Sequence, residues 1–201
     1  MKTLMLAFLA ACTFIVAPAQ DSLKVKELEQ RIKILEEKVA RLEVSVKNGS
    51  LSDEAKKCRQ AARQRSESDE RNFRSEDIKK AEDWYVRASQ NARTAESAKL
   101  LDSLVSQYPK LNRAGCAQLY LAQWEKSGPE KERLLKDCID RFYNCYYFDG
   151  TQVGPFAIYQ LAFYYKEQDK KEEARKLFKR IRSDSPDAVN HNGELLINNI
   201  D

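Results

Sequence analysis

Pro155-Phe156-Ala157-Ile158-Tyr159-Gln160-Leu161-Ala162-Phe163-Tyr164-Tyr165, continued nine residues later by Ala174-Arg175-Lys176-Leu177-Phe178-Lys179-Arg180-Ile181 and closed by Pro186, is the stretch that decides the fold. With Pro155 as position 1 of a 34-residue unit, Ile158, Leu161, Ala162 and Tyr165 fall at positions 4, 7, 8 and 11. Ala174, Phe178, Ile181 and Pro186 fall at 20, 24, 27 and 32. Both halves have the 3.6-residue period of an amphipathic helix. The small residues at 8 and 20 let two antiparallel helices cross closely, and the bulky ones at 24 and 27 fill the space beside them. Gly154-Pro155 opens the first helix, because proline is tolerated in a first turn.

This layout matches the tetratricopeptide repeat (TPR), including its closing proline. Weaker copies lie upstream. Leu101, Leu104 and Pro109 keep the spacing of Phe178, Ile181 and Pro186. A shift of 34 pairs Tyr85 with Leu119, Ala88 with Ala122, Leu101 with Leu135 and Tyr108 with Phe142. Two degenerate units are therefore expected between about Ser75 and Tyr143, the first starting at Ser75-Glu76-Asp77. Ordinary paired helices are the alternative for that first unit. An insertion at 144–154 separates both from the third unit. Leu195 and Leu196 fall at positions 7 and 8 of an expected final half-repeat that caps the stack.

A second pattern occupies residues 24–47. Val25, Ile32, Val39 and Val46 recur every seventh residue, and Leu28, Leu35 and Leu42 follow the first three by three. These are the a and d positions of a coiled coil. Lys24, Arg31 and Lys38 stand at g, and Glu29, Glu36 and Glu43 at e. In a parallel assembly Arg31 and Lys38 face Glu36 and Glu43 of a neighbour. The run Arg31-Ile32-Lys33-Ile34-Leu35-Glu36 has the form associated with parallel trimers, so the expected partner is the chain itself, as a homotrimer with a dimer as second choice. An amphipathic helix lying on its own globular domain is the alternative. Between coil and repeats, residues 49–74 hold few large apolar side chains and read as a charged, solvated linker.

The amino terminus reads as a leader. Met1-Lys2-Thr3 is a short basic start, residues 4–16 are apolar, and Ala17-Pro18-Ala19 has the form of a cleavage site. The expected domains are thus a signal peptide at 1–19, a coiled coil at 20–48, a linker at 49–74 and a repeat domain at 75–201. The expected product is periplasmic and soluble, without a stable membrane span. The alternative is an outer-membrane lipoprotein attached through Cys12, because Leu9-Ala10-Ala11-Cys12 resembles a lipobox. Asn48-Gly49-Ser50 reads as a helix stop rather than a glycosylation acceptor.

A third of the chain is charged and only six residues are glycine, which points to an all-α protein. The net charge of +4 falls to +3 once Lys2 leaves with the leader. That is too small and too interspersed for a nucleic-acid partner. No glycine-rich phosphate loop appears. The single histidine, His191, reads as a surface residue and leaves little from which to build a metal site or a catalytic triad. Acids such as Asp137, Asp140, Glu172 and Glu173 read as solvated helix faces. No catalytic residue, cofactor or metal is expected, and the chain reads as a non-enzyme.

Two other groups carry information. Phe156, Tyr159 and Phe163, at positions 2, 5 and 9, share one side of the first helix of the best unit, with Lys166 at its rim. They form a candidate peptide groove, covered either by a partner segment or by a fold-back of Tyr146-Tyr147-Phe148. Cys58, Cys116, Cys138 and Cys145 would remain after cleavage. Cys138 falls at position 27, where a thiol can act as a small buried group. In an oxidising compartment one disulfide is expected among Cys116, Cys138 and Cys145, with Cys116–Cys145 preferred.

The order of parts, from leader through trimeric coil and linker to about three TPR units, resembles the Tol-Pal system proteins of the YbgF/CpoB family. The resemblance spans nearly the whole chain. It implies a periplasmic scaffold that contacts TolA-like envelope proteins and septal peptidoglycan synthesis during cell division. An envelope spacer whose repeats bind peptidoglycan or another glycan is the alternative function.

Overall fold

A computed structural model describes residues 51–200, and the leader, the heptads and their expected ion pairs lie outside those residues. Seven α-helices follow in order: α1 (Asp53–Asn72), α2 (Ser75–Gln90), α3 (Ala95–Gln107), α4 (Asn112–Trp124), α5 (Pro129–Arg141), α6 (Val153–Glu167) and α7 (Lys171–Asp184). A single 3-10 turn, Leu196–Asn199, comes last. Among the described residues there is no strand, only two isolated antiparallel bridges. No helix among them is long and apolar enough to cross a membrane.

The helices pair as α2/α3, α4/α5 and α6/α7, and each pair packs on the next. Local chemistry sets their limits. Thr94 caps α3 by accepting from the Ser97 N–H at 3.1 Å. Pro129 occupies the first turn of α5 behind Gly128, whose φ is +98°. Helix α2 begins at Ser75, as its sequence indicates, but with Arg74 as a cap that contributes no side-chain bond. Helices α4 and α6 are buried over most of their surface, whereas α5 and α7 bury one stripe and leave a charged face outside. The core runs continuously through the pairs: Leu101 and Leu104, then Leu119, Leu135 and Cys138, then Ile158, Leu161, Phe178 and Ile181.

Units 2 and 3 are not related by 34 residues. Each second helix is followed by a bridged turn, with Tyr146 paired to Gln152 in the first and Val189 to Leu195 in the second, a constant offset of 43 residues. Their hydrogen bonds repeat at the same offset. The Tyr147, Gly150 and Val153 N–H groups donate to the Thr151, Tyr147 and Cys145 carbonyls. Those of Asn190, Gly193 and Leu196 donate to Glu194, Asn190 and Ala188. Both turns close on a glycine of positive φ, Gly150 at +98° and Gly193 at +81°. The 144–154 insertion is therefore a repeated element. The expected final half-repeat is corrected by the same comparison: Leu195 and Leu196 belong to the second bridged turn and the 3-10 turn after it.

The reading of 49–74 as a solvated linker is also corrected. Residues 51–72 belong to the compact unit Leu51–Asp201, as a capped helix with Ala55, Ala62 and Asp69 buried. Ser52 caps α1 by accepting from the Ala55 N–H at 3.1 Å. Helix α1 then meets every unit in turn. Gly193 sits over Ala55 and Leu51, and Cys58 donates to the Asp187 carbonyl at 3.4 Å. Arg59 Nε donates to the Asp149 carbonyl at 3.2 Å. Arg65 donates to the Lys110 carbonyl at 2.8 Å and pairs with Asp69. Asp69 accepts from the Asn112 N–H at 2.7 Å, capping α4 from another helix. Alanines at seven-residue spacing leave room for the turns to lie on the helix backbone, which is why no large apolar stripe marks it.

Candidate functional site

Positions 2, 5 and 9 of α6 place Phe156, Tyr159 and Phe163 along one face of that helix, all half-buried. The Phe156 and Tyr159 rings stack at 6.0 Å with planes 12° apart, and Tyr159 meets Phe163 at 4.8 Å. Phe163 then abuts Phe178 of α7 edge-on at 5.2 Å. Burial raises the Tyr159 hydroxyl pKa above its ordinary value. Lys166 is exposed, with its ammonium 5.9 Å from the Phe163 ring centre. The four sequence-predicted groove residues thus share one surface. A cleft of about 260 Å³ opens beside it, lined by Tyr159, Phe163, Gln123, Lys131 and Glu167 among others.

The row continues at its other end through a residue that sequence reading left aside. His191, in the second bridged turn, meets Phe156 edge-on at 5.1 Å and Tyr147 at 4.9 Å. Its Nδ1 lies 2.7 Å from Asp149 Oδ2 and 3.2 Å from Thr151 Oγ1, in the first bridged turn. Burial pushes the Asp149 carboxyl up, but hydrogen bonds from His191 and Thr151 outweigh it and hold the carboxyl below its usual range. The shared Asp/Asn-Gly of the two turns, Asp149-Gly150 and Asn192-Gly193, was the available sequence signal.

Among the described residues no ring of the Tyr146-Tyr147-Phe148 stretch stacks on Tyr159 or Phe163; Tyr147 instead meets His191 at the Phe156 end of the row. Tyr147 donates its hydroxyl to the Cys116 carbonyl at 3.0 Å. Tyr146 pairs its backbone with the Asn112 side chain, at 2.6 Å from its N–H and 2.8 Å to its carbonyl. Phe148 is 67% exposed, against the Arg113 guanidinium at 4.7 Å. Arg113 holds in unit 2 the place of Phe156 in unit 3. It also lies 4.5 Å from the Tyr85 ring centre and pairs with Glu82 at 2.7 Å.

The expected Cys116–Cys145 bridge is corrected: Cys58, Cys116, Cys138 and Cys145 are free thiols. The Cys116 thiol donates to the Tyr146 carbonyl at 3.3 Å, while Cys145 packs over Gly115. A Cβ on Gly115 would stand 2.5 Å from that of Cys145, so the glycine makes room for it. Burial pushes Cys116 up to about 12 and Cys145 to about 11, and raises Cys138 well above the ordinary thiol range.

Among the described residues, no group of three or more His, Cys, Asp and Glu side chains could hold a metal ion. Asp137 is occupied structurally, accepting from Gln118 at 3.0 Å and Arg141 at 2.9 Å. What the α6 face offers is recognition: rigid rings, a rim cation and an adjoining cleft. Neither a curated protein nor a solved structure matched the chain. Residues 156–188 match the tetratricopeptide repeat family, so the chain is an all-α protein whose α6/α7 pair is a tetratricopeptide repeat.

Proposed function

We propose that this protein is an exported, non-enzymatic scaffold that holds a segment of another cell-envelope protein against α6. The carrying observation is the half-buried Phe156–Tyr159–Phe163 row beside an open cleft, on the first helix of the matched repeat. Rings held by packing lose little freedom on binding and serve as anchors. The leader of residues 1–19 supports a periplasmic location, and the heptads at 24–47 support assembly as a parallel homotrimer that multiplies the binding faces. The resemblance to the YbgF/CpoB family supports a place in Tol-Pal-type constriction of the outer membrane at cell division, with a TolA-like partner.

The near-parallel Phe156 and Tyr159 rings also suit the face of a sugar, which keeps peptidoglycan as the second reading. Full-length protein and its Tyr159→Ala/Phe163→Ala variant, incubated with envelope extract before and after peptidoglycan digestion, separate the two. Capture of a protein that survives digestion and is lost in the variant supports the scaffold. Capture lost on digestion supports the glycan. Equal capture by both proteins overturns the assignment of the site. In parallel, Ile32→Asp with Leu35→Asp should reduce the sedimenting species to a monomer whose repeats stay folded.

A further inference from the structure

The 43-residue offset shows how one unit seats the next helix. On unit 2, helix α6 lies against α5. The Tyr164 hydroxyl donates to the Gly128 carbonyl at 3.2 Å and accepts from the Gly128 N–H at 3.1 Å. The Tyr165 hydroxyl donates to Glu132 at 2.7 Å. Gly128, Lys131, Glu132 and Leu135 of this seat correspond to Lys171, Ala174, Arg175 and Phe178 of unit 3. There the same position is an open pocket of about 210 Å³, lined by Lys166, Lys171, Ala174, Arg175 and Phe178. The terminal 3-10 turn packs on α7 elsewhere, with Arg182 donating to the Ile200 carbonyl at 2.7 Å.

The chemistry of the seat has changed sign. Where unit 2 presents a glycine and a glutamate that accepts a hydrogen bond from a tyrosine hydroxyl, unit 3 presents a lysine and an arginine. Their only ion-pair partners among the described residues are exposed acids of the same unit. Lys171 meets Asp169 at 3.0 Å and Arg175 meets Glu172 at 2.8 Å, all four side chains more than 70% exposed. Such pairs are weak and exchange readily for a better-placed carboxylate. We infer that the α7 seat docks an amphipathic α-helix of a partner protein, laid as α6 lies on α5 and carrying carboxylates where α6 carries Tyr165. This surface adjoins the Phe156–Tyr159–Phe163 face, with Lys166 on the border of both and Phe163 against Phe178, but its cations Lys171 and Arg175 stand on α7 outside that face, so the inference does not rest on the proposed function.

The test uses the full chain and two peptides of residues 153–167 held helical by a side-chain staple between positions 159 and 163. One carries Tyr165→Glu and the other Tyr165→Lys. The acidic peptide is expected to bind roughly tenfold more tightly than the basic one, and Lys171→Glu with Arg175→Glu in the protein should reverse that order. Both substituted side chains are exposed, and an unchanged circular dichroism spectrum confirms that the variant is folded. Tyr159→Ala in the protein should leave peptide binding unchanged. Equal binding of both peptides, an order that survives the charge reversal, or loss of binding in Tyr159→Ala overturns the inference. So does displacement of the acidic peptide by an equimolar peptide of residues 20–48, because the seat would then belong to this chain's own amino-terminal segment.

Discussion

A Cβ on Gly150 would stand 2.9 Å from the Arg59 backbone nitrogen and 3.0 Å from the Cys58 carbonyl carbon, in a residue whose φ is already +98°. Gly193 occupies the matching place at φ +81°, but its Cβ would only touch Ala55 and Leu51 at 3.4 Å. Both alanine substitutions strain the backbone, and only the first also forces α1 away from its turn. Gly150→Ala should therefore cost about 2–4 kcal/mol and Gly193→Ala about 1 kcal/mol, a difference that urea unfolding of the two variants would resolve. The thiols permit a second test. Cys116, Cys138 and Cys145 are buried with pKa values raised by that burial, whereas Cys58 is only half-buried and open to reagent. Brief iodoacetamide treatment at neutral pH, read by peptide mass, should label Cys58 first among these four. The other three should label only after denaturation, and without prior reduction.

Elements, by contrast, are held by residues that no local period announces. Asp69 of α1 is 6% exposed, pairs with Arg65 and caps the N–H of Asn112 in α4. Asp69→Ala leaves that N–H without its acceptor and takes the carboxylate from a partly buried guanidinium that keeps the Lys110 carbonyl, so a loss of about 3 kcal/mol is expected from thermal or urea unfolding. The two bridged turns are joined in a comparable way by Asp149 and His191. Because the folded Asp149 carboxyl is held below its ordinary value, its contribution is present above the unfolded value of about 3.9 and is lost as pH falls through the folded one. The melting-temperature gap between the protein and its Asp149→Asn variant should persist down to about pH 4 and shrink below it. The α6/α7 pair was legible in the sequence because its alanines, leucines and phenylalanine recur at helical spacing within one unit. Helix α1 was not, since Ala55 meets Gly193 and Asp69 meets Asn112, both far along the chain, and in isolation its buried face resembles a solvated one. His191 was missed for the same reason: its ring neighbours Tyr147 and Phe156 lie far along the chain.

For the whole molecule, helix pairs that touch only their neighbours would behave as a one-dimensional array, in which a terminal pair can melt while the others persist. Helix α1 removes that independence. It bonds to Lys110 and Asn112 after unit 1, to Asp149 after unit 2 and to Asp187 after unit 3. Residues 51–200 should then unfold in one transition, with fluorescence of Trp84 and Trp124 and circular dichroism at 222 nm giving the same midpoint. Deleting residues 51–72 should separate the two midpoints. The same helix should limit the folding rate, because its contacts join residues far apart in the chain, 129 positions between Cys58 and Asp187 and more between Ala55 and Gly193. Closing so long a loop is slow compared with pairing adjacent helices. As the chain emerges from synthesis, α1 comes first and waits for the last turn. The hairpins should assemble early, and residues 51–200 become a single cooperative body only when the turn holding Asp187 and Gly193 reaches α1.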